Sequence, residues 1–369
     1  MEILYENVLL LFQNGGWQRV VMWLIGALLI YLAIKKDMEP TLLLPMGFGA
    51  IIVNIPAIYH GALSTLFEAG ISNELFPLIL FIGIGAMIDF GPILSNPKLM
   101  IFGAAAQFGI FFTFSLASLF FDLPEAASIG IIGAADGPTA IVVAQKLLGN
   151  ASTITGAIMV AAYSYMALVP VIQPPIIKLM TTKKERLIRM PYKAKSVSKA
   201  TRILFPIIIT IVAGLVAPES IDLLGFLMFG NLIRECGVLN SLSETAQKVL
   251  ANLITIFLGI TVATQMTADK FLQPATLLIL GLGLFAFIFD TAGGILVAKV
   301  INLFSKKNKI NPMIGAAGIS AFPMSGRVVH KMGLKEDPQN FLLMHSIGVN
   351  VSGQIASVIA GGLILSFML

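Results

Sequence analysis

Apolar residues fill this chain in long blocks near 20–34, 41–59, 74–94, 99–120, 126–148, 151–177, 202–217, 221–235, 248–266, 275–299, 310–324 and 340–367. Most approach the roughly 20 residues that carry a helix across a bilayer, and none alternates as a barrel strand would. The pattern predicts an all-α polytopic membrane protein. Lysine and arginine gather at 35–36, in KLMTTKKERLIRMPYKAK at 178–195, in KKNK at 306–309, and at Arg327, Lys331 and Lys335. Residues 60–73, 121–126 and 217–220 contain neither. Basic loops stay cytoplasmic, so the chain starts outside and 35–36 falls inside. If every block crossed, the most basic loop would land outside. The block at 126–148 repairs the parity by dipping in and returning, with Gly133, Gly137 and Pro138 supplying its turn. The stretch NPMIGAAGISAFPMSGR, apolar over 310–324, reads as a second re-entrant hairpin from the cytoplasmic side.

About ten transmembrane helices and two broken-helix hairpins, one from each face, make the pattern of inverted repeats meeting near the midplane. A weak internal likeness agrees: SIGIIGAADGPTAIVVA at 128–144 against SIGVNVSGQIASVIA at 346–360. The expected division is a peripheral N-terminal segment 1–19, a membrane half 20–177, a basic cytoplasmic loop 178–201 and a second membrane half 202–369. Asp337 followed by Pro338 is the start signal expected for the last helix.

Composition narrows the function classes. The chain is 57% hydrophobic and 12% charged, where a soluble domain carries roughly 25% charged residues; mean hydropathy is +0.91. A single cysteine, Cys236, excludes internal disulfides and a cysteine metal cluster. His60, His330 and His345 lack metal-ligand spacing. The net charge of +5 sits in loops and is no nucleic-acid signature. The N-terminus, MEILYENVLLLFQNGG, has acids where a signal peptide has a basic region, and reads as a peripheral helix.

Polar residues inside apolar blocks carry the chemistry. Asp136 in lipid costs about 2.5–3.5 kcal/mol unless something neutralises it. A broken helix beside it frees backbone carbonyls, which survive only where they line a protein cavity. Carbonyls plus a carboxylate make an oxygen cage for Na⁺, or a site where Na⁺ and a proton compete; capping of the half-helix that starts at Pro138 is compatible with both. The second hairpin brings Asn311, Ser320 and the backbone around Gly315. Facing helices bring Tyr163, Ser164, Tyr165, Asn350 and Ser352. Asp290 lies deep in FIFDTAGG and is a secondary candidate, with Tyr163 and Ser352. Asp89 ends a span and reads as a solvated helix end. Arg327 lies just past the second hairpin on the cytoplasmic side, either as an ordinary positive-inside charge or as an anion clamp.

GIIGAADGPTAIVVAQKL, VAAYSYMALVPVIQPPI with TTKKERLIRM, and GISAFPMSGRV…KEDPQNFLLMH…GVN closely resemble the membrane β subunit of the sodium-ion-translocating, biotin-dependent decarboxylases. That family includes oxaloacetate, methylmalonyl-CoA and glutaconyl-CoA decarboxylases. The resemblance implies a subunit of the bacterial inner membrane that decarboxylates carboxybiotin and exports Na⁺ while a proton is taken up. It implies three partners: a carboxyltransferase α subunit, a biotin carrier and a small single-span γ subunit. A homo-oligomer stays open. Position by position, it places the essential aspartate on Asp136, the functional tyrosine on Tyr165, cation-site residues on Asn311, Gly315, Ser320 and Asn350, and the arginine that handles carboxybiotin on Arg327. Asp136 and Arg327 are the expected catalytic pair. This chain lacks the AMKM biotin-attachment motif, so biotin arrives on another subunit. The rival expectation is a secondary Na⁺/H⁺ antiporter, which inverted repeats and a buried aspartate fit equally.

Overall fold

The structure, a computed structural model, describes residues 16–36, 38–55, 61–149, 152–192, 196–305 and 309–369. Residues 1–15 of the expected peripheral segment, His60, 193–195 of the basic loop and 306–308 of KKNK lie outside the described residues. The described residues are helical and contain no strand. Seven helices are long and apolar enough to cross a membrane: Gly16–Lys36, Pro97–Ala117, Ile154–Met180, Lys199–Val216, Asn240–Gln265, Pro274–Phe304 and Leu343–Met368. An eighth is a pair, Gly61–Gly70 and Leu75–Met87, bent by 63°. The chain is a multi-pass, all-helical membrane protein.

The expectation of about ten full spans is met only in part. The block at 41–59 forms Pro40–Val53, 14 residues, which at 1.5 Å per residue is about 21 Å against roughly 30 Å of hydrocarbon. The block at 221–235 forms Ile221–Cys236, 16 residues that include Asp222, Arg234 and Glu235. Residues 60–73, expected as a loop, contain the helix Gly61–Gly70. The last helix starts at Leu343, while Asp337 closes the helix before it and pairs with Arg189 at 2.5 Å.

Both expected breaks exist. Leu123–Gly130 and the tight turn Ile131–Ala134 lead to Ala135, whose φ of 51° stops the helix; Asp136 then caps a new one, Gly137–Leu148. The two arms pack on each other, and Lys146, near the end of the second, pairs with Glu219 at 3.1 Å. The other break is longer than expected. Pro312–Gly318 is a tight 3-10 turn, 319–323 is irregular, and Met324–Glu336 is a returning helix of 13 residues. Arg327 therefore lies inside the returning arm, not past it. That arm reads as a polar loop in sequence, yet Val328, Val329, Met332 and Gly333 bury one face of it.

Both ends of the second broken helix return to one strap, 181–190. Asn311, at its start, donates to the carbonyls of Arg186 and Ile188, each at 2.9 Å. Glu336, at its end, accepts from Arg186 Nε at 2.8 Å. Asn340 donates to the same Arg186 carbonyl at 2.9 Å. The largest core cluster surrounds the two breaks, with Ile132, Ala134 and Ala135 of one among Ile314, Ala317 and Ile319 of the other.

Candidate functional site at two helix breaks

The two breaks touch through their main chains: Ser320 N donates to the Ala134 carbonyl at 2.9 Å. Ser320 Oγ donates to the Gly353 carbonyl at 3.0 Å, and Asn350 Nδ2 donates to the Ile319 carbonyl at 2.6 Å. The helix Leu343–Met368 thus lies against both breaks. Close approach is enforced at two glycine pairs. A Cβ on Gly315 would lie 2.1 Å from the Gly294 carbonyl oxygen, and one on Gly353 would lie 2.0 Å from that of Gly318.

Asp136 is 3% exposed and is held by four donors. Oδ2 accepts from Thr139 Oγ1 at 2.7 Å, Ser357 Oγ at 2.9 Å and Gln354 Nε2 at 3.1 Å; Oδ1 accepts from Thr139 N at 3.4 Å. The helix-capping reading of this carboxylate is therefore correct, and it coexists with a cavity. Asp136, Ser320, Gln354, Phe322, Glu39 and Arg327 line one pocket of about 280 Å³. A second pocket of about 360 Å³ continues from Glu39 and Arg327 to Lys36, Lys331, Pro170 and Pro174. Arg327 is exposed and has no acidic partner among the described residues. Three basic side chains, Lys36, Lys331 and Arg327, with the acidic Glu39 among them, thus line the way from the rim to a buried carboxylate.

Three oxygens near the breaks are buried with no hydrogen-bond partner: Tyr163 Oη, Asn350 Oδ1 and Asp290 Oδ2, the last so close that a Cβ on Gly133 would meet it at 2.4 Å. Tyr163 packs its ring on the first break, where a Cβ on Gly137 would meet it at 2.6 Å. Among the described residues no three His, Cys, Asp or Glu side chains converge as a metal cluster. The donor set at the cavity is the Asp136 carboxylate plus neutral oxygens, with the Asp290 carboxyl behind Gly133, and oxygens of this kind suit a hard monovalent cation.

Residues 18–368 match the family described as the Na⁺-transporting oxaloacetate decarboxylase beta subunit. The chain belongs to this family. It is 46% identical to the oxaloacetate decarboxylase beta chain of Klebsiella pneumoniae, over 96% of each chain. It is 48% identical to the methylmalonyl-CoA decarboxylase subunit beta of Propionigenium modestum, over 94% of each. It is 44% identical to the oxaloacetate decarboxylase beta chain of Haemophilus ducreyi, over 98% of this chain and 99% of that one.

As a member of this decarboxylase beta-subunit family, the chain places its expected site residues unevenly. Asp136, Ser320 and Arg327 line one cavity. Asn350 and Gly315 stand beside the second break. Tyr165 donates its hydroxyl to the Leu280 carbonyl and packs, with Ile132 of the first break, around Gly283; Tyr163, the weaker candidate, packs its ring on Gly137 of the same break. Ser352 donates to the carbonyls of Val349 and Leu99, at 2.6 and 3.2 Å. Asn311 is taken up at the strap, its Oδ1 accepting from Met313 N at 3.1 Å. Asp290 is fully buried, and its Oδ1 accepts from Ile110 N at 3.1 Å. One oxygen thus serves the start of Phe108–Ala117, while Oδ2 has no hydrogen-bond partner and lies against Gly133 of the first break. Asp89 accepts from Gly91 N at 2.8 Å and lies 3.7 Å from Arg202. Thr139, Gln354 and Ser357 are the residues that sequence reasoning missed. Their signal is spacing: Asn350, Gln354 and Ser357 are i, i+4 and i+7 on one helical face.

Proposed function

We propose that this chain decarboxylates carboxybiotin presented by a carrier on another subunit, and couples CO₂ release to Na⁺ export and proton uptake across the bacterial inner membrane. The observation that carries the proposal is the continuous cavity from Arg327 to Asp136. Carboxybiotin is an anion, and the Arg327 guanidinium at the cytoplasmic side is a bidentate partner for its carboxylate. Loss of CO₂ breaks the N–C bond and leaves the electron pair on the ureido nitrogen, which takes a proton. Asp136 supplies that proton when Na⁺ displaces it. Ser320 and Asn350 complete the cation's neutral oxygens, with Tyr163 in the place expected for Tyr165. Export against 100 mV takes about 2.3 kcal/mol per charge, which CO₂ release must supply. The two broken helices act as re-entrant hairpins, one from each face, in a bundle of about ten spans.

Relatives that act on oxaloacetate and on methylmalonyl-CoA are equally similar along the chain. This fits a subunit that never meets the acid, which a carboxyltransferase α subunit would read; a biotin carrier and a single-span γ subunit would complete the complex. The test is CO₂ release from a carboxybiotinylated carrier by vesicles of the full chain, with and without Na⁺, for wild type and Asp136→Asn. Na⁺-stimulated release lost in the variant is the expected result. No release in any condition, with Na⁺/H⁺ exchange intact, would sink the proposal in favour of the gradient-driven antiporter.

A further inference from the structure

Against the strap lies a groove of about 530 Å³, lined by Lys184, Glu185, Ile188, Leu296, Lys299 and Lys309 among others. One wall is the end of the helix Pro274–Phe304. Leu296, Val300 and Leu303 follow at i, i+4 and i+7, and are 47%, 49% and 79% exposed. The other wall is the strap. Lys299 is occupied by Glu185 at 3.3 Å. Lys184 and Lys309 are exposed and have no acidic partner among the described residues.

We propose that this groove binds the headgroup of an anionic phospholipid, with the phosphodiester between Lys184 and Lys309 and an acyl chain along Leu296, Val300 and Leu303. Charge complementarity chooses this occupant. A basic, concave site at the end of a membrane-spanning helix, with an apolar wall running away from it, matches a phosphate that carries its own hydrocarbon. A zwitterionic lipid brings a cation that the lysines repel, and a free phosphate leaves the apolar wall uncovered. The site bears on the rest of the molecule through two bonds. Arg186, two residues beyond Lys184, holds Glu336 through its side chain and Asn311 through its carbonyl. A lipid seated on the strap therefore steadies both ends of the second broken helix. The inference does not rest on the decarboxylase reading.

The experiment uses the full chain in detergent, with retained lipid measured by native mass spectrometry after exposure to phosphatidylglycerol or phosphatidylcholine. The wild type is expected to keep phosphatidylglycerol in preference. Replacing Lys184→Gln and Lys309→Gln together should weaken that preference by about thirtyfold, the weight of two lysines beside an anionic surface. Hydrogen exchange over 183–188 should slow with phosphatidylglycerol in the wild type and not in the double variant. An undiminished preference in the double variant overturns the proposal. So does inorganic phosphate alone displacing the lipid and slowing the same amides, which would make the groove a free-phosphate site.

Discussion

The break at Ala135–Asp136 and the break at 319–323 stand one hydrogen bond apart and are stabilised in opposite ways. The first carries a charge and is held by side chains: Thr139 from its own helix, and Gln354 and Ser357 from a helix more than 200 residues further along the chain. The second carries no charge at its tip. It is held by the Ser320 hydroxyl and the Asn350 amide, each donating to a main-chain carbonyl, and by glycines packed without Cβ atoms. A charge in a low-dielectric site needs several donors on the charge itself. A neutral break needs its carbonyls satisfied and a close fit. The first break is thus suited to bind and release an ion, the second to bring backbone oxygens close and keep them there.

The sharpest way to break this contrast is to remove the charge from one side and a hydroxyl from the other. Asp136→Asn should lower Na⁺-dependent CO₂ release by about 10²–10⁴-fold, the usual weight of a general acid. Ser320→Ala keeps the amide that bonds Ala134 and loses the hydroxyl, and with it the bond to Gly353 and one proposed neutral cation ligand, about 0.5–1.5 kcal/mol. It should change the rate tenfold or less; equal losses in the two variants would dissolve the distinction.

Next in size is a donor to the charge. Ser357→Ala removes a hydrogen bond to a carboxylate, about 1.5–3 kcal/mol. The apparent Na⁺ constant in the same assay should move by roughly tenfold or more, while thermal unfolding changes little. An unchanged Na⁺ constant would show that Ser357 only packs.

Shape at the neutral break is tested by Gly315→Ala, which forces Gly294 away and should cost about 1–3 kcal/mol on thermal unfolding in detergent. Gly281→Ala is the control. A Cβ there meets nothing within 4 Å, so the midpoint should hold or rise.

The smallest effect concerns the strap that anchors the second break. The hydrogen bond from Arg189, then the amide of Gln339, hold the Asp337 carboxyl below the usual aspartate range. Burial pulls Glu185 upward, but bonds from Thr182 and Lys299 outweigh it and leave that carboxyl low as well. An acid lowered in the fold stabilises it above the unfolded value near pH 4 and loses that contribution as pH falls through the folded value. Protection of the amides over 181–190, taken as exchange relative to the intrinsic rate at each pH, should therefore fall below about pH 4 and stay flat between about pH 5 and 8. Loss of protection on the alkaline side would contradict these pairings.

The first break was legible in the sequence because each of its parts is local. A carboxylate, two glycines and a proline within six positions announce a cap and a stopped helix, and the structure puts the break where they stand. The second was half legible. Its glycines and prolines mark the descending turn, but the returning arm, MSGRVVHKMGLKE, is too polar to read as a packed helix until its buried face is seen. Long-range partners were least legible. Nothing near Asn311 in sequence announces that its amide belongs to Arg186 and Ile188, more than 120 residues away. Tyr163 and Tyr165 lie on different faces of one helix, and only the packing shows that the first meets Gly137 while the second meets Gly283 beside Ile132. The span count was legible only in part, because hydropathy counts residues and a bilayer counts length, as at Pro40–Val53.

The bond from Ser320 N to the Ala134 carbonyl has one more consequence. Both of its atoms belong to the polypeptide backbone, so exchanging side chains at either position leaves donor and acceptor in place. A mutational scan would pass over the point where the main chains of the two breaks meet. Proline at position 320, which lacks the hydrogen, or an ester in place of that peptide link, would reveal it.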